Sequence, residues 1–362
     1  MGRKPLVHAS LVRMVGNHDD IIKVTQQRSK LHNQTGEINM FKQLALAGAL
    51  GFSLLSPTAP VAADEVVIKA VSGWRAGSNI AKRYEKFIKD LNAKGEGLVN
   101  VKYIGGAPAI GSPVQLVKKV QAGVYDMVYV TGGWYTNVLP SAESFKLSEV
   151  DVSVLRTNGG FEYIQALHAE KGLYYLGRVY DTSPYYLYLN KPIKGADLTG
   201  LKIRVSPAYK EFFSALGAST QAAPVPEVYT LMERGVVDGF GWVAQGLFDF
   251  SWDQVVKYRV DPGFFTGNAH IIVNQKLWDG MTPEQQSFMT KMILEMEAEN
   301  YTVADQDNVE MARMEKAGIK TIKLSPEQAK IWNDTARRVG WETAYKVNPD
   351  VAAKLEKYIT KH

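Results

Sequence analysis

The sequence predicts an α/β fold in which a mainly parallel sheet carries helices on both faces. From Glu65 onward, runs typical of strands alternate with runs typical of helices, as in a sheet built from strand–helix–strand units. The same helix–glycine–strand join occurs twice, as KKVQAGVYDM and as TLMERGVVDG. Residues 123–126 and 235–238 share the pattern Gly-Val-x-Asp, with a glycine that ends each helix. We therefore expect two similar lobes.

The first round of elements starts at Glu65. EVVIKAV predicts a strand, and NIAKRYEKFIKDLNAKG predicts a helix that ends at Gly95. VNVKYIGG predicts a second strand, and SPVQLVKKVQAG a helix that begins at Ser112-Pro113 and ends at Gly123. VYDMVYVTGG predicts the third strand.

The second round begins near Tyr185. YYLYLN and LKIRV predict strands, and SPAYKEFFSALG predicts a helix with Ser206 as N-cap, Pro207 at its first position and Gly217 after its end. PEVYTLMERG predicts another helix, which the strand VVDGFGWV follows.

One long helix is predicted after the second round. Thr282 and Pro283 form its start, and no helix breaker follows until Gly318. About 35 residues at 1.5 Å each give a length near 50 Å, which exceeds one small lobe. We expect this helix to span both lobes. A further helical segment, introduced by Ser325-Pro326, ends the chain.

Residues 40–63 have the pattern of a secretory signal peptide. Lys42 provides a positive start, residues 44–55 form an apolar run too short to span a bilayer, and small residues follow Pro57 and Pro60. A buried helix is the alternative, but the proline-rich exit fits a domain interior poorly. We expect Met40 to be the true start, residues 1–39 to be upstream sequence and the mature chain to be exported to the periplasm without a membrane span.

The charge of the mature chain is nearly balanced. Residues 1–63 hold seven of the 42 basic and three of the 37 acidic side chains, so 35 and 34 remain, a net charge of +1. A basic surface for nucleic acid is therefore not expected. Cysteine is absent, which excludes disulfides, thiolate metal sites and cysteine nucleophiles.

Catalytic and cofactor motifs are weak. His168, His270 and His362 are the histidines after residue 63, and none has metal-motif spacing. No G-x-S-x-G elbow or Walker loop occurs, and GFGWVA at 239–244 matches G-x-G-x-x-A only late in the second round. We expect no metal, no cofactor and no enzyme activity.

Arg204 is the main candidate for a binding residue. It lies at the end of the strand LKIRV, and ligands of open α/β sheets bind beyond the carboxyl ends of strands. A guanidinium binds a carboxylate through two parallel hydrogen bonds, and the helix start from Ser206 to Tyr209 adds backbone N–H donors. The alternative, an arginine on a solvated strand face, has equal weight from the residues alone.

Aromatic residues follow three other predicted strands. Two candidate residues stand at the end of each of these strands, and the three pairs together favour a pocket with aromatic walls. Taken singly, each is more often core or loop packing. The pairs are Trp74 with Arg75, Trp134 with Tyr135, and Phe240 with Trp242.

The stretch DLTGLKIRVSPAYKEFFSALGASTQAAPVPEVYTLMERGVVDGFGW resembles the signature region of the solute-binding subunits of tripartite ATP-independent periplasmic (TRAP) transporters, the DctP-type family. YIGGAP, VQAGVYDM and the long helix from Pro283 support the resemblance. It implies a two-lobed periplasmic binding protein fold with a cleft between the lobes. It also implies a ligand carboxylate held by Arg204 and further contacts from residues 240–243.

One position departs from a branch of that family. The branch that binds 2-oxo acids through a metal ion has Glu-Trp where this chain has Gly241-Trp242, so a metal-bridged mode is not expected. Gly241 is also expected to leave room for a bulkier ligand. We place one lobe at 64–186 plus 268–298 and the other at 187–267 plus 299–362.

These observations predict an exported receptor that delivers an organic carboxylate to TRAP membrane permease subunits. An aromatic or bulky carboxylate is favoured. A C4-dicarboxylate or 2-oxo acid is the alternative, and a second cation such as Arg75 or Arg178 facing the cleft would favour a dicarboxylate. A secreted α/β enzyme acting on a carboxylate is the rival class, and an adhesion module without a deep cleft is a third.

Overall fold

A computed structural model describes residues 64–361, which lie within one compact unit. The predicted signal peptide and the upstream extension lie outside the described residues. Within the described part, ten strands form one sheet system. They are β1 (Val66–Ser72), β2 (Val99–Gly106), β3 (Met127–Val130), β4 (Leu173–Leu189), β5 (Lys202–Val205), β6 (Ser219–Ala222), β7 (Gly239–Val243), β8 (Tyr258–Asp261), β9 (Thr266–Asn274) and β10 (Lys320–Lys323).

Helices cover both faces of the sheet, as predicted. Successive residues of β3, such as Met127 and Val128, belong to two different buried apolar clusters, so each face has its own core. The α-helices of residues 64–361 are α1 (Asn79–Lys94), α2 (Leu116–Gln121), α3 (Val152–Asn158), α4 (Gly160–Ala169), α5 (Lys210–Ala215), α6 (Val228–Glu233), α7 (Gln275–Gly280), α8 (Pro283–Ala298), α9 (Thr302–Lys316), α10 (Pro326–Val347) and α11 (Pro349–Ile359).

The strands form two equivalent groups. In the first lobe β1 pairs in parallel with β2 and β3, and in the second lobe β5 pairs in parallel with β6 and β7. Strands β4 and β9 lie between β3 and β7 and are antiparallel to each other. The 17-residue strand β4 pairs with β9 along its first part and with β7 at Tyr185–Leu189. The sheet is therefore parallel within each lobe and antiparallel where the lobes join.

The two Gly-Val-x-Asp corners make the same hydrogen bonds. The Asp126 carboxylate accepts from Lys69 N on β1 at 2.8 Å, and the Asp238 carboxylate accepts from Lys202 N on β5 at 2.8 Å. Each aspartate N–H in turn donates to the carbonyl of the same lysine, at 2.9 and 2.7 Å. The glycine three residues earlier has φ of 76° in the first corner and 65° in the second. The shared motif thus fixes the same strand alignment twice.

The predicted uninterrupted helix is divided into two. Helix α8 ends at Ala298 and α9 begins at Thr302, so three residues form a turn between them. Arg83 of α1 is the cause, since its guanidinium donates to the Glu299 carbonyl at 3.3 Å and to Asn300 Oδ1 at 3.2 Å. The amide of Asn300 then donates to the Arg178 carbonyl of β4 at 2.9 Å. The sequence contains no glycine or proline there, and the interruption comes from these tertiary hydrogen bonds.

Asp307 of α9 allows a prediction about pH. Its carboxylate accepts from Gln245 Nε2 at 2.8 Å, and burial raises the pKa of Asp307 to about 6. The unfolded value is near 3.9, so the folded state favours the protonated form. This contribution to stability is present below about pH 4 and is lost as the pH rises through 6.

We therefore expect Asp307→Asn, which keeps an acceptor and has no charge, to stabilise the protein by about 2–3 kcal/mol at pH 7 and to have little effect at pH 4. Urea midpoints at both pH values measure this. Asp305→Asn, on the exposed side of the same helix, is the control and is expected to stay within about 0.5 kcal/mol. An equal effect of Asp307→Asn at both pH values would contradict the prediction.

Candidate functional site

The carboxyl ends of two pairs of parallel strands, β1 with β3 and β5 with β7, meet at one cavity between the lobes. Residues directly after β1 and β3 contribute from the first lobe, and residues at the ends of β5 and β7 contribute from the second. Strands β4 and β9 and the 3₁₀ helix Pro140–Leu147 complete the wall. The cavity has a water-accessible volume of about 70 Å³. The topology therefore brings together segments that are far apart in sequence.

Arg204 lies in the wall of this cavity and is 2% exposed. Its Nε and Nη2 groups both donate to the Ala223 carbonyl, the first at 2.8 Å, and Nη1 donates to Tyr209 Oη at 2.9 Å. Tyr209 Oη donates onward to the Gly241 carbonyl at 2.7 Å. The strand end, the following turn and β7 together fix the orientation of the guanidinium.

Arg204 has no acidic partner among residues 64–361. Its hydrogen bonds go to a carbonyl and a hydroxyl, and no carboxylate lies within ion-pair distance. A guanidinium has five N–H groups, and these bonds use three of them, which leaves two. Burial of an uncompensated charge is costly, so such a cation is normally paired. The arrangement provides a positive charge in the cavity wall with two N–H groups that have no protein acceptor among the described residues.

Three tryptophans form part of the aromatic wall. Trp74 follows β1 and its ring lies 4.7 Å from that of Trp134, which follows β3. Trp242 of β7 is fixed by its Nε1, which donates to the Gln245 carbonyl at 3.1 Å. All three also line a second groove of about 400 Å³. The rings therefore separate the inner cavity from a larger outer space.

A charged pair in the wall was not identified from the sequence. Glu143 and Lys146 lie on the 3₁₀ helix, and the Lys146 ammonium donates to Glu143 Oε1 and to the Ala208 carbonyl of the other lobe. Their side chains are 14% and 13% exposed. Tyr180 and Tyr185 of β4 also line the cavity, and burial raises the pKa of Tyr185. In the sequence, these residues are visible only as a glutamate and a lysine three positions apart within PSAESFKL, a spacing that is common in helices and belongs to no binding motif.

The structure brings six of the ten predicted site residues to the cavity. Their use as ligand contacts stays a prediction. Three come from the end of β5 and the turn that follows it, and three are the tryptophans described above. The six are Arg204, Ser206, Tyr209, Trp74, Trp134 and Trp242.

Tyr135 and Phe240 are placed in the core instead. The Tyr135 hydroxyl lies 3.1 Å from His168 Nε2, and burial lowers the pKa of His168 to about 4. His168 Nδ1 bonds the Ile164 carbonyl at 2.7 Å, so Nε2 of the neutral ring accepts from Tyr135. Phe240 is fully buried, and its ring packs 4.7 Å from that of Trp252. The sequence prediction used only the position of each ring after a strand, and this position does not distinguish rings in the core from rings in the cavity wall.

The two candidate second cations also lie away from the cavity wall. Arg178 is fully buried in β4, where Nη1 lies 3.4 Å from Asp181 Oδ1 and Nε donates to Tyr175 Oη at 3.0 Å. Arg75 lies at the outer groove and donates to the Asp249 carbonyl at 2.8 Å. Both guanidinium groups therefore form hydrogen bonds within the protein and do not line the inner cavity.

The expectation that Gly241 leaves room for a ligand is wrong. A Cβ atom at position 241 would lie 3.0–3.2 Å from ring atoms of Tyr209. The missing side chain therefore admits the Tyr209 ring, which holds Arg204. Residues 64–361 contain no group of three or more His, Cys, Asp or Glu side chains placed to hold a metal ion, and no helix there is long and apolar enough to cross a membrane.

Two α/β lobes joined by continuing strands, with a buried cation in a cavity at the strand ends, define a solute-binding protein. The chain belongs to the DctP family, the bacterial extracellular solute-binding proteins of family 7, whose sequence pattern matches residues 70–346. The predicted family is thereby confirmed. It is a family of receptors that bind solutes rather than of enzymes.

Individual relatives are distant. The chain is 25% identical over 333 residues to the C4-dicarboxylate-binding periplasmic protein DctP of Rhodobacter capsulatus, which covers 86% of this chain and 96% of the relative. A TRAP periplasmic solute-binding protein of Desulfovibrio salexigens with bound orotic acid superposes with a TM-score of 0.72 at 20% identity, covering 80% of this chain and 96% of the other. One from Ochrobactrum anthropi, with its C-terminus in the ligand pocket, gives 0.71 at 22%, covering 82% and 95%. These structures confirm the two-lobed fold.

Proposed function

We propose that this protein is a periplasmic receptor of a TRAP transporter that captures an organic carboxylate and delivers it to the membrane permease subunits. The observation that carries the proposal is Arg204, a buried guanidinium with two free N–H groups and no acidic partner among residues 64–361. A carboxylate supplies both the missing charge and a pair of acceptors with matching geometry.

The rest of the cavity wall supports an aromatic or otherwise bulky acid. Trp74, Trp134 and Trp242 provide large rigid surfaces for an apolar ligand body. The outer groove of about 400 Å³ beyond these rings offers further space for a ligand that extends past them. In this proposal, Arg204 anchors the carboxylate and burial against the rings provides selectivity.

A C4-dicarboxylate is the second candidate, and Lys146 is the observation that favours it. This lysine is a second cation in the same cavity wall. The relative from Rhodobacter capsulatus is named as a C4-dicarboxylate-binding protein. However, Lys146 is already paired with Glu143, so it brings no net positive charge. A 2-oxo acid bound through a metal ion is not supported, because the family branch that binds in this way has a glutamate where this chain has Gly241.

A thermal-shift screen tests the proposal. We expect one or more carboxylates to raise the melting temperature, because a ligand that binds only the folded state stabilises it. Each acid is paired with its primary amide, which keeps the shape and lacks the charge and is expected to give no shift. Equal shifts with acid and amide, or no shift with any acid, would contradict carboxylate capture, and turnover of a bound acid would support the enzyme alternative.

A further inference from the structure

The cavity contains a second recognition point besides Arg204. Glu143 lies in the same wall, on the 3₁₀ helix Pro140–Leu147, whereas Arg204 comes from β5 of the other lobe. A small solute enclosed between the lobes would therefore meet both groups. Glu143 is held in place because its Oε1 accepts from Lys146, which also donates to the Ala208 carbonyl across the cleft.

The second oxygen of Glu143 has no donor. Oε2 is buried and accepts no hydrogen bond among residues 64–361. Leaving a buried acceptor unsatisfied is costly, and more so when the group is charged. A Cβ atom at Gly133 would lie 3.3 Å from this oxygen, so the glycine keeps a side chain away from it. Glu143, a residue of the cavity wall, therefore carries an acceptor that the protein does not itself satisfy.

The charges of the cavity wall limit what the ligand carries. Among the described residues that line it, Arg204 and Lys146 are positive and Glu143 is negative, which gives a formal charge of +1. One carboxylate balances this charge. A second carboxylate would leave the enclosed site negative and would repel Glu143, and in a cavity of low dielectric constant such an imbalance is costly.

We infer that the ligand is a monocarboxylate that carries a hydroxyl group, with its carboxylate on Arg204 and its hydroxyl donating to Glu143. A hydroxyl supplies the donor that Oε2 lacks without adding charge. The inference rests on the proposed carboxylate capture and adds a residue that sets specificity. Glu143 would then favour binding of hydroxy acids over the matching acids without a hydroxyl, and over dicarboxylates.

Calorimetry on matched acids tests the inference. The probes are mandelate with phenylacetate and lactate with propionate, which differ only in the hydroxyl, together with succinate as a dicarboxylate. We expect the hydroxy acid of at least one pair to bind about ten- to a hundredfold more tightly than its partner, as for a hydrogen bond to a charged group. Succinate is expected to bind more weakly than that hydroxy acid.

Glu143→Gln separates recognition from structure. The amide keeps the size of the side chain, and we expect it to reduce the preference for the hydroxy acid at least about tenfold. The acid without a hydroxyl is expected to bind at least as tightly as before, because the cavity wall loses a negative charge. Glu96→Gln, at an exposed glutamate remote from the cavity, loses the same charge and is expected to change neither affinity. Melting temperatures of both variants show whether the fold is retained.

Each outcome has a defined meaning. Equal binding of both members of every pair overturns the inference and leaves carboxylate capture intact. Equal weakening of both members by Glu143→Gln does the same, because it indicates that Glu143 only holds Lys146. Tightest binding of succinate overturns the monocarboxylate assignment. Failure of every acid, while the wider thermal-shift screen also finds none, contradicts the proposed function itself.

Discussion

Replacing Arg204 with methionine is expected to abolish carboxylate binding while the protein folds as well as before. The substitution removes the guanidinium that is proposed to pair with the ligand. Truncating one partner of a buried, hydrogen-bonded charge pair costs about 2–5 kcal/mol, which is roughly a thirtyfold to several-thousandfold loss of affinity. Calorimetry with whichever acid the thermal-shift screen identifies measures this loss.

The stability of the ligand-free variant is the more diagnostic measurement. In the unliganded protein Arg204 is a desolvated cation without an acidic partner among residues 64–361, and methionine replaces its stem with an apolar chain. We expect the unliganded melting temperature to stay the same or rise. Such an exchange of stability for function is typical of binding sites.

Two further variants separate charge from geometry. Arg204→Lys keeps the charge but cannot form two parallel hydrogen bonds, so we expect it to bind nearly as weakly as the methionine variant. Arg234→Met removes an exposed arginine after α6 and is expected to leave affinity unchanged. If Arg204→Met kept wild-type affinity, Arg204 would be a structural residue and the proposed function would lose its main support.

The position of Arg204 was predictable because its sequence context is unusual. A permanent cation within an apolar strand run, directly before a helix start, suits either an anion site at the strand end or a solvated strand face, and the family resemblance favours the anion site. The corners at Asp126 and Asp238 were predictable for a similar reason, since each motif acts through hydrogen bonds to its own neighbouring strand. Local patterns with local causes therefore predicted both the two lobes and the position of Arg204 at the cavity, while its role in binding stays a prediction.

The remaining wall residues depend on contacts that no local pattern records. Glu143 and Lys146 reach the cavity because their 3₁₀ helix is held to β9, where the Asn268 amide donates to the Phe145 carbonyl at 2.8 Å, and because Lys146 contacts the other lobe at Ala208. Tyr135 resembled a wall residue in sequence but turns to His168 in the core. The break between α8 and α9 depends likewise on Arg83, which lies more than 200 residues earlier in the chain.

Asp181→Ala is expected to cause the largest loss of stability of any substitution considered for this protein. Asp181 is fully buried in β4, where its carboxylate accepts from Val152 N at 2.8 Å and Thr182 N at 3.0 Å and neutralises Arg178. Removing it leaves a buried guanidinium without its counter-ion, which costs about 3–5 kcal/mol. Because folded domains are stable by about 5–15 kcal/mol, this is a large fraction of the total. Urea unfolding measures it.

The double variant Arg178→Met/Asp181→Ala distinguishes loss of the pair from loss of the fold around it. Removing both charges leaves no uncompensated cation, so we expect the double variant to be more stable than Asp181→Ala alone by at least about 1 kcal/mol. Asp334→Ala breaks the exposed pair with Lys330 and is expected to cost less than about 1 kcal/mol. If Asp181→Ala were equally mild, the buried pair would not support β4.

The Arg178–Asp181 pair also lies next to the cavity, because Tyr180 directly precedes Asp181 and lines the cavity wall. We therefore expect Asp181→Ala to weaken ligand binding at denaturant concentrations below those that unfold the protein.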